Sequence, residues 1–136
     1  MEPIHALSHR LPTAAEHLAL AASVGWTDHF DPATLPDSLA GSLHGVVVES
    51  GGSAIAMGRV VGDGSHYFYL QDVIVHPEHA DDGLGSRVVA ALHECVRSVA
   101  DPRAFVGLFA SPEAVDLYRE FDFEEPSDMT GMHLRD

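Results

Sequence analysis

The sequence predicts an α+β fold: one domain spanning residues 1–136, with a mixed central sheet of about six or seven strands flanked by about four helices. Three observations carry this reading. Two helical stretches open the chain ahead of a block of strand-like runs. The run "FYLQDVIV" then passes through a glycine turn into helical spacing. A short apolar strand and another helix follow before the chain closes on strand-like sequence. The order is ααβββαβαββ, with one further strand candidate at "IHALS".

The elements follow from local signals. "LPTAAEHLALAASVGW" reads as a helix capped near Thr13, carrying an apolar stripe of Leu18, Ala21 and Ala22 and ended by Gly25. "DPATLPDSLAGSL" predicts a shorter helix after Asp31 with Pro32 at its first position. "HGVVVES", a turn at "GGS", and "AIAMGRVVGDGSHYFYLQDVIV" give three antiparallel strands, the second hairpin turning at "GDGS". From Leu84, the spacing of Val88, Leu92, Val96 and Val99 marks one face of an amphipathic helix that ends before Asp101 and Pro102. "AFVGLF" is a short buried strand. "SPEAVDLYREF" is a helix capped by Ser111 with Pro112 at its first position, and "DFEE" with "TGMHLRD" is expected to form a closing strand pair.

Composition narrows the function. The formal net charge of −14 disfavours nucleic acid and anionic membrane as partners, because both would be approached against a field of like sign. A cationic small molecule would be attracted. No apolar run approaches the roughly 20 residues that span a bilayer. The single cysteine, Cys95, cannot form an internal disulfide, and no leader-like segment opens the chain, so the expected compartment is the cytoplasm. Ten histidines raise the question of metal. His76 and His79 offer two ligands, but no cysteine pair and no further histidine or carboxylate at helix spacing completes a site, so no metal is expected.

The chemistry concentrates where strand meets helix. In "VIVHPEHADDGLGSRVV", a strand runs into a glycine turn and then a helix, which presents free backbone N–H groups and the positive end of the helix dipole. That is an anion site, with pyrophosphate as the natural guest. Strand alternation places Tyr67, Tyr69, Gln71 and Val73 on one face, and Phe68, Leu70, Asp72 and Ile74 on the other. Asp72 is read as a structural acid paired with Arg59, unless a bulge reorients the strand.

The same segment resembles the acyl-CoA signature of the GCN5-related N-acetyltransferases, a strand ending in V-x-P followed by [QR]-x-x-G-x-[GA] at a helix start. "SPEAVDLYREFDF" resembles that family's second signature, N-x-x-A-x-x-L-Y-x-x-x-G-F. Within the family, the chain is similar to a group of small bacterial amine acetyltransferases. The resemblance implies splayed parallel strands that bind acetyl-CoA as co-substrate. Val73, Ile74 and Val75 would pair with the pantetheine arm through their backbone. Asp81, Asp82, Gly83, Leu84, Gly85 and Ser86 would cradle the pyrophosphate. Ser111 stands where an asparagine near the pantetheine is common. Tyr118 matches the general acid that protonates the departing thiolate. Trp26, Tyr69 and Gln71 would line the acceptor side, with water as the default proton relay.

The departures from the signatures are specific. Ala80 occupies the [QR] position, Asp81 and Asp82 add negative charge to the loop, and Asp122 replaces the glycine of the G-F pair. The expected activity is acetyl transfer to a primary amine, preferentially a small cationic one. The alternatives are an acyl-CoA-binding sensor or scaffold without turnover, and a protein N-terminal or lysine acetyltransferase. The expected partner is a small-molecule amine, and a homodimer remains open.

Overall fold

The computed structural model describes residues 5–135. Ile4 of the "IHALS" run and Asp136 of the closing run lie outside them. In chain order the elements are β1 (Ala6–Ser8), α1 (Ala14–Ser23), α2 (Leu35–Ala40), β2 (His44–Ser50), β3 (Ser53–Gly62), β4 (Tyr67–Val75), α3 (Leu84–Val99), β5 (Phe105–Gly107) and α4 (Val115–Arg119). Single 3-10 turns at Thr27–His29, Pro77–His79 and Pro112–Ala114 join them. The strands form one sheet in the order β1-β2-β3-β4-β5. The first three pairings are antiparallel and β4–β5 is parallel. No helix among the described residues is long and apolar enough to cross a membrane.

Several local signals act as their chemistry dictates. Thr13 and Glu16 form a reciprocal capping box at the start of α1. Arg10 clamps Glu16 with two hydrogen bonds of 2.8 and 2.9 Å, and this ion pair holds the Glu16 carboxyl down at about 2. The Asp63 carboxylate accepts the N–H groups of Ser65, His66 and Tyr67, closing the hairpin that feeds β4. On α3, Leu84, Val88, Leu92 and Val96 are buried against Val46, Val48, Val60, Phe68 and Leu70 of the sheet. Val99, expected on that stripe, lies past the edge of the sheet and is exposed. The opposite face buries Leu20 and Ala21 of α1 against Met57 and Ile74.

The sheet has five strands rather than six or seven. Neither "DFEE" nor the described part of "TGMHLRD" forms a strand. Phe121 and Phe123 pack onto the core under α3 instead, and the Phe123 amide turns back to the Tyr118 carbonyl. That return requires the φ of +67° at Asp122, the conformation a glycine would adopt freely. Beyond it, Met129, Met132 and Leu134 lie exposed with no strand to pair with. The other helix starts also shift. Asp31 and Pro32 precede α2 as a turn in which Asp31 Oδ1 accepts the Ala33 N–H, and α2 itself begins at Leu35. Ser111 makes no side-chain cap, and the segment after it divides into a 3-10 turn and the five-residue α4.

A bulge in β4 corrects the expected alternation. Met57 pairs with Ile74 and Arg59 with Gln71, so Gly58 alone faces both Asp72 and Val73. Asp72 takes φ +54°, which slips the strand by one residue. Phe68 and Leu70, then Val73 and Val75, therefore pack under α3, while Asp72 and Ile74 turn toward α1. Val73 does not share the face of Tyr69 and Gln71; Asp72 takes that place.

Candidate active site

The pairing of β4 with β5 is short. It joins Tyr67 to Phe105, Phe68 to Val106 and Tyr69 to Gly107. Beyond Tyr69, β4 continues to Val75 with no strand beside that edge among the described residues. Gln71, Val73, Ile74 and Val75 therefore lie on an open edge whose backbone groups need partners, as an extended amide-bearing chain would supply.

At the end of β4 the loop reaches α3. Gly83 caps the helix at φ +71°, a left-handed conformation that side chains resist. No side chain caps this end, and the first helical hydrogen bond there is accepted by the Gly83 carbonyl from Arg87. The amides of Gly83, Leu84, Gly85 and Ser86 thus have no acceptor among the described residues. Gly85 sits in a tight space. A Cβ there would stand 3.1 Å from Leu117 Cδ2 on α4 and 3.9 Å from Val75 Cγ2 on β4. The start of α3, the end of β4 and α4 therefore converge on one point.

The two loop aspartates differ. Asp81 is exposed and makes no side-chain hydrogen bond among the described residues. Asp82 is engaged: its Oδ2 lies 2.9 Å from His79 Nδ1 and 3.3 Å from His5 Nε2. Arg87, a candidate to offset the loop's negative charge, donates to the His5 carbonyl at 3.2 Å. Ser86 Oγ leans toward Glu120 at 3.4 Å, and Ser111 is exposed.

Tyr118 is 8% exposed, its ring edge-on to Phe123. Burial pushes its phenol above the ordinary range, so it carries its proton at neutral pH. The hydroxyl has no protein partner among the described residues and is not among the enclosed, unsatisfied polar atoms. A protonated phenol whose oxygen is not fully enclosed has the chemistry of a proton donor.

On the α1 side, Asp72 forms the centre of a buried cluster. Its Oδ2 accepts Arg59 Nε at 2.8 Å and contacts His17 Nε2 at 2.9 Å. Arg59 also donates to the Ser38 carbonyl and to Ser42 Oγ, which ties α2 to the sheet. Burial alone would raise the Asp72 pKa, but the hydrogen bonds from His17 and Arg59 prevail and hold it below the usual carboxylate value. Such a carboxylate is a poor proton acceptor. His17 was not singled out from sequence, although a histidine one turn before Leu20 and Ala21, inside an apolar face, was the available signal. Trp26 is partly buried on Leu20, Ala21, Met57 and Ile74 and stacks on His29 at 5.7 Å. Tyr69 lies near Phe105 at a ring separation of 5.8 Å.

An apolar crevice of about 240 Å³, lined by Leu43, Val60, Phe68, Cys95, Val96 and Val99, lies at the far end of α3 from the glycine turn. None of the converging groups borders it.

The acetyltransferase (GNAT) domain family matches residues 41–125. No curated protein matches the sequence. Among solved structures, the chain is similar to a protein of unknown function from meticillin-resistant Staphylococcus aureus, described as "Probable Acetyltransferase". Identity is 25% and the TM-score 0.90, over 97% of this chain and 99% of that one. It is similar to a GNAT-family acetyltransferase from Streptococcus pneumoniae at 27% identity and TM-score 0.80, with 98% of each chain covered. Glucosamine-6-phosphate N-acetyltransferase from Arabidopsis thaliana shares the fold at 16% identity and TM-score 0.68, over 96% of this chain and 99% of that one.

Proposed function

Since this chain belongs to the GNAT acetyltransferase family, we propose that residues 1–136 form one catalytic domain that moves an acetyl group from acetyl-CoA to a small cationic primary amine. The observation that carries this reading is the parting of β4 from β5 after Tyr69, beside four unpartnered amides and the buried Tyr118. Val73, Ile74 and Val75 pair with the pantetheine arm along the open edge of β4. Gly83, Leu84, Gly85 and Ser86 receive the pyrophosphate on their N–H groups, supported by the helix dipole. Ser111, at the exposed entrance to α4, borders the arm.

The reaction is direct attack. The ammonium first loses a proton to water, because Asp72 is already committed to His17 and Arg59. The amine nitrogen then bonds to the thioester carbon, the C–S bond breaks with its electron pair left on sulfur, and Tyr118 delivers a proton to that sulfur. The proton shed by the substituted nitrogen returns to Tyr118 through water, leaving an amide and free CoA. Trp26, Tyr69 and Gln71 line the acceptor side, where an acidic surface favours a cation.

The test is a panel of polyamines, aminoglycosides, amino acids and peptides, assayed for CoA release by thiol titration. Release that depends on a cationic small amine is expected. Release only with peptides would transfer the activity to protein substrates, and binding of acetyl-CoA without release under any acceptor would leave a sensor.

A further inference from the structure

We propose that His5, His79 and Asp82 form a binding site for a divalent transition metal such as zinc, beside the turn that opens α3. In sequence, only His76 and His79 stood at ligand spacing, and nothing nearby completed a set. The fold completes it from two other places. Asp82 follows His79 by one turn, and His5 arrives from the segment leading into β1. His76 is not a member: among the described residues the convergent ligand atoms are those of His5, His79 and Asp82.

The distances are those of a coordination sphere. Asp82 Oδ2 lies 2.9 Å from His79 Nδ1 and 3.3 Å from His5 Nε2, and the three ligand atoms all fall within 4.8 Å of one another. Ligands held at about 2.0 to 2.1 Å from a tetrahedral zinc stand roughly 3.3 Å apart, a spacing that the two Asp82 contacts of 2.9 and 3.3 Å already approach. Two imidazoles and one carboxylate select zinc, cobalt or nickel over magnesium and calcium, which require oxygen donors.

The backbone around the ligands is held as well, while His5 Nδ1 is buried without a partner among the described residues. Arg87 Nη1 donates to the His5 carbonyl at 3.2 Å, and the His5 and His79 rings meet edge to face with centroids 5.5 Å apart. The Asp82 amide donates to the His79 carbonyl at 3.1 Å, fixing the spacing of those two ligands. Side-chain exposures of 20% for His5, 25% for His79 and 38% for Asp82 leave an entry path and room for water as a fourth ligand. In a chain of net charge −14, a dication here is electrostatically favoured. A bound ion would fasten the segment before β1 to the turn before α3, so metal binding adds to folding stability.

Chelator-stripped, tag-free protein titrated with zinc chloride in a calorimeter provides the test, with cobalt absorption as a second readout. One ion per chain, a raised Tm and the visible bands of tetrahedral cobalt are expected. His5→Gln, His79→Gln and Asp82→Asn should each weaken zinc by more than about tenfold, with circular dichroism confirming that each is folded. His44→Gln, which alters the separate His9–His44 pair, should leave the affinity unchanged. Absence of zinc binding to the wild type, or binding that survives all three ligand changes, overturns the proposal. The zinc titration needs no acetyl-CoA, so its outcome is read independently of the acceptor-dependent CoA release that tests acetyl transfer.

Discussion

Asp72 combines a left-handed backbone, the β4 bulge and hydrogen bonds to two side chains. Replacing it with asparagine would remove the charge that compensates Arg59, which is only 8% exposed, and breaking a buried pair of this kind costs about 3 kcal/mol. The pH dependence follows from the sign of the shift. A carboxyl whose folded pKa is lowered contributes stability that is fully present above its unfolded value of about 3.9 and is lost as pH falls through the lower folded value. Asp72→Asn should therefore be destabilised near neutral pH, and its deficit relative to wild type should shrink in acid below about pH 4. Urea unfolding at both pH values measures this, and an equal deficit at each would show that the carboxylate charge is not what holds the cluster. The Arg59–Asp72 pair was legible from sequence because strand neighbours are local. The bulge stood only as an alternative, since it depends on which residue of β3 faces Asp72, and that is a property of the paired strands.

At the scale of elements, the segments read correctly were those with dense local signals. The cap at Thr13 marked the start of α1, and the spacing of Leu84, Val88, Leu92 and Val96 ahead of Pro102 marked α3. The closing strands failed although open strand edge is at hand, because Phe121 and Phe123 are drawn onto the core instead. The departure at Asp122, visible in sequence as a missing glycine, reappears as φ +67° in the return from α4. Aspartate tolerates that region better than most residues but still at a cost. Asp122→Gly is expected to stabilise the protein by about 0.5 to 1 kcal/mol in thermal or urea unfolding. A loss of stability there would mean that the aspartate side chain contributes more than its backbone strain costs. The two loop aspartates also separated at this scale. Asp82 is engaged by His79 one turn before it and by His5 from across the chain, the latter a contact that no local pattern could reveal, whereas Asp81 is exposed.

Over the whole molecule, the strand–turn–helix order and the two signatures made the fold and the family legible, because both are continuous in sequence. The cluster around Asp72 was less so, because it is assembled from α1, α2 and the reoriented part of β4. With a net charge of −14, a cationic acceptor should be drawn in by the global field. Its kcat/KM is expected to fall as salt shortens the screening length from about 30 Å at 0.01 M to about 8 Å at 0.15 M. A salt-independent rate, or an acidic amino acid as the best acceptor, would contradict this. The role of Tyr118 is tested most directly by comparing Tyr118→Phe with wild type in acceptor-dependent CoA release at saturating substrates, alongside acetyl-CoA affinity by calorimetry. A phenol that protonates the leaving thiolate predicts kcat lower by about ten- to a thousandfold with affinity nearly unchanged, whereas equal kcat in the two proteins would remove Tyr118 from the reaction.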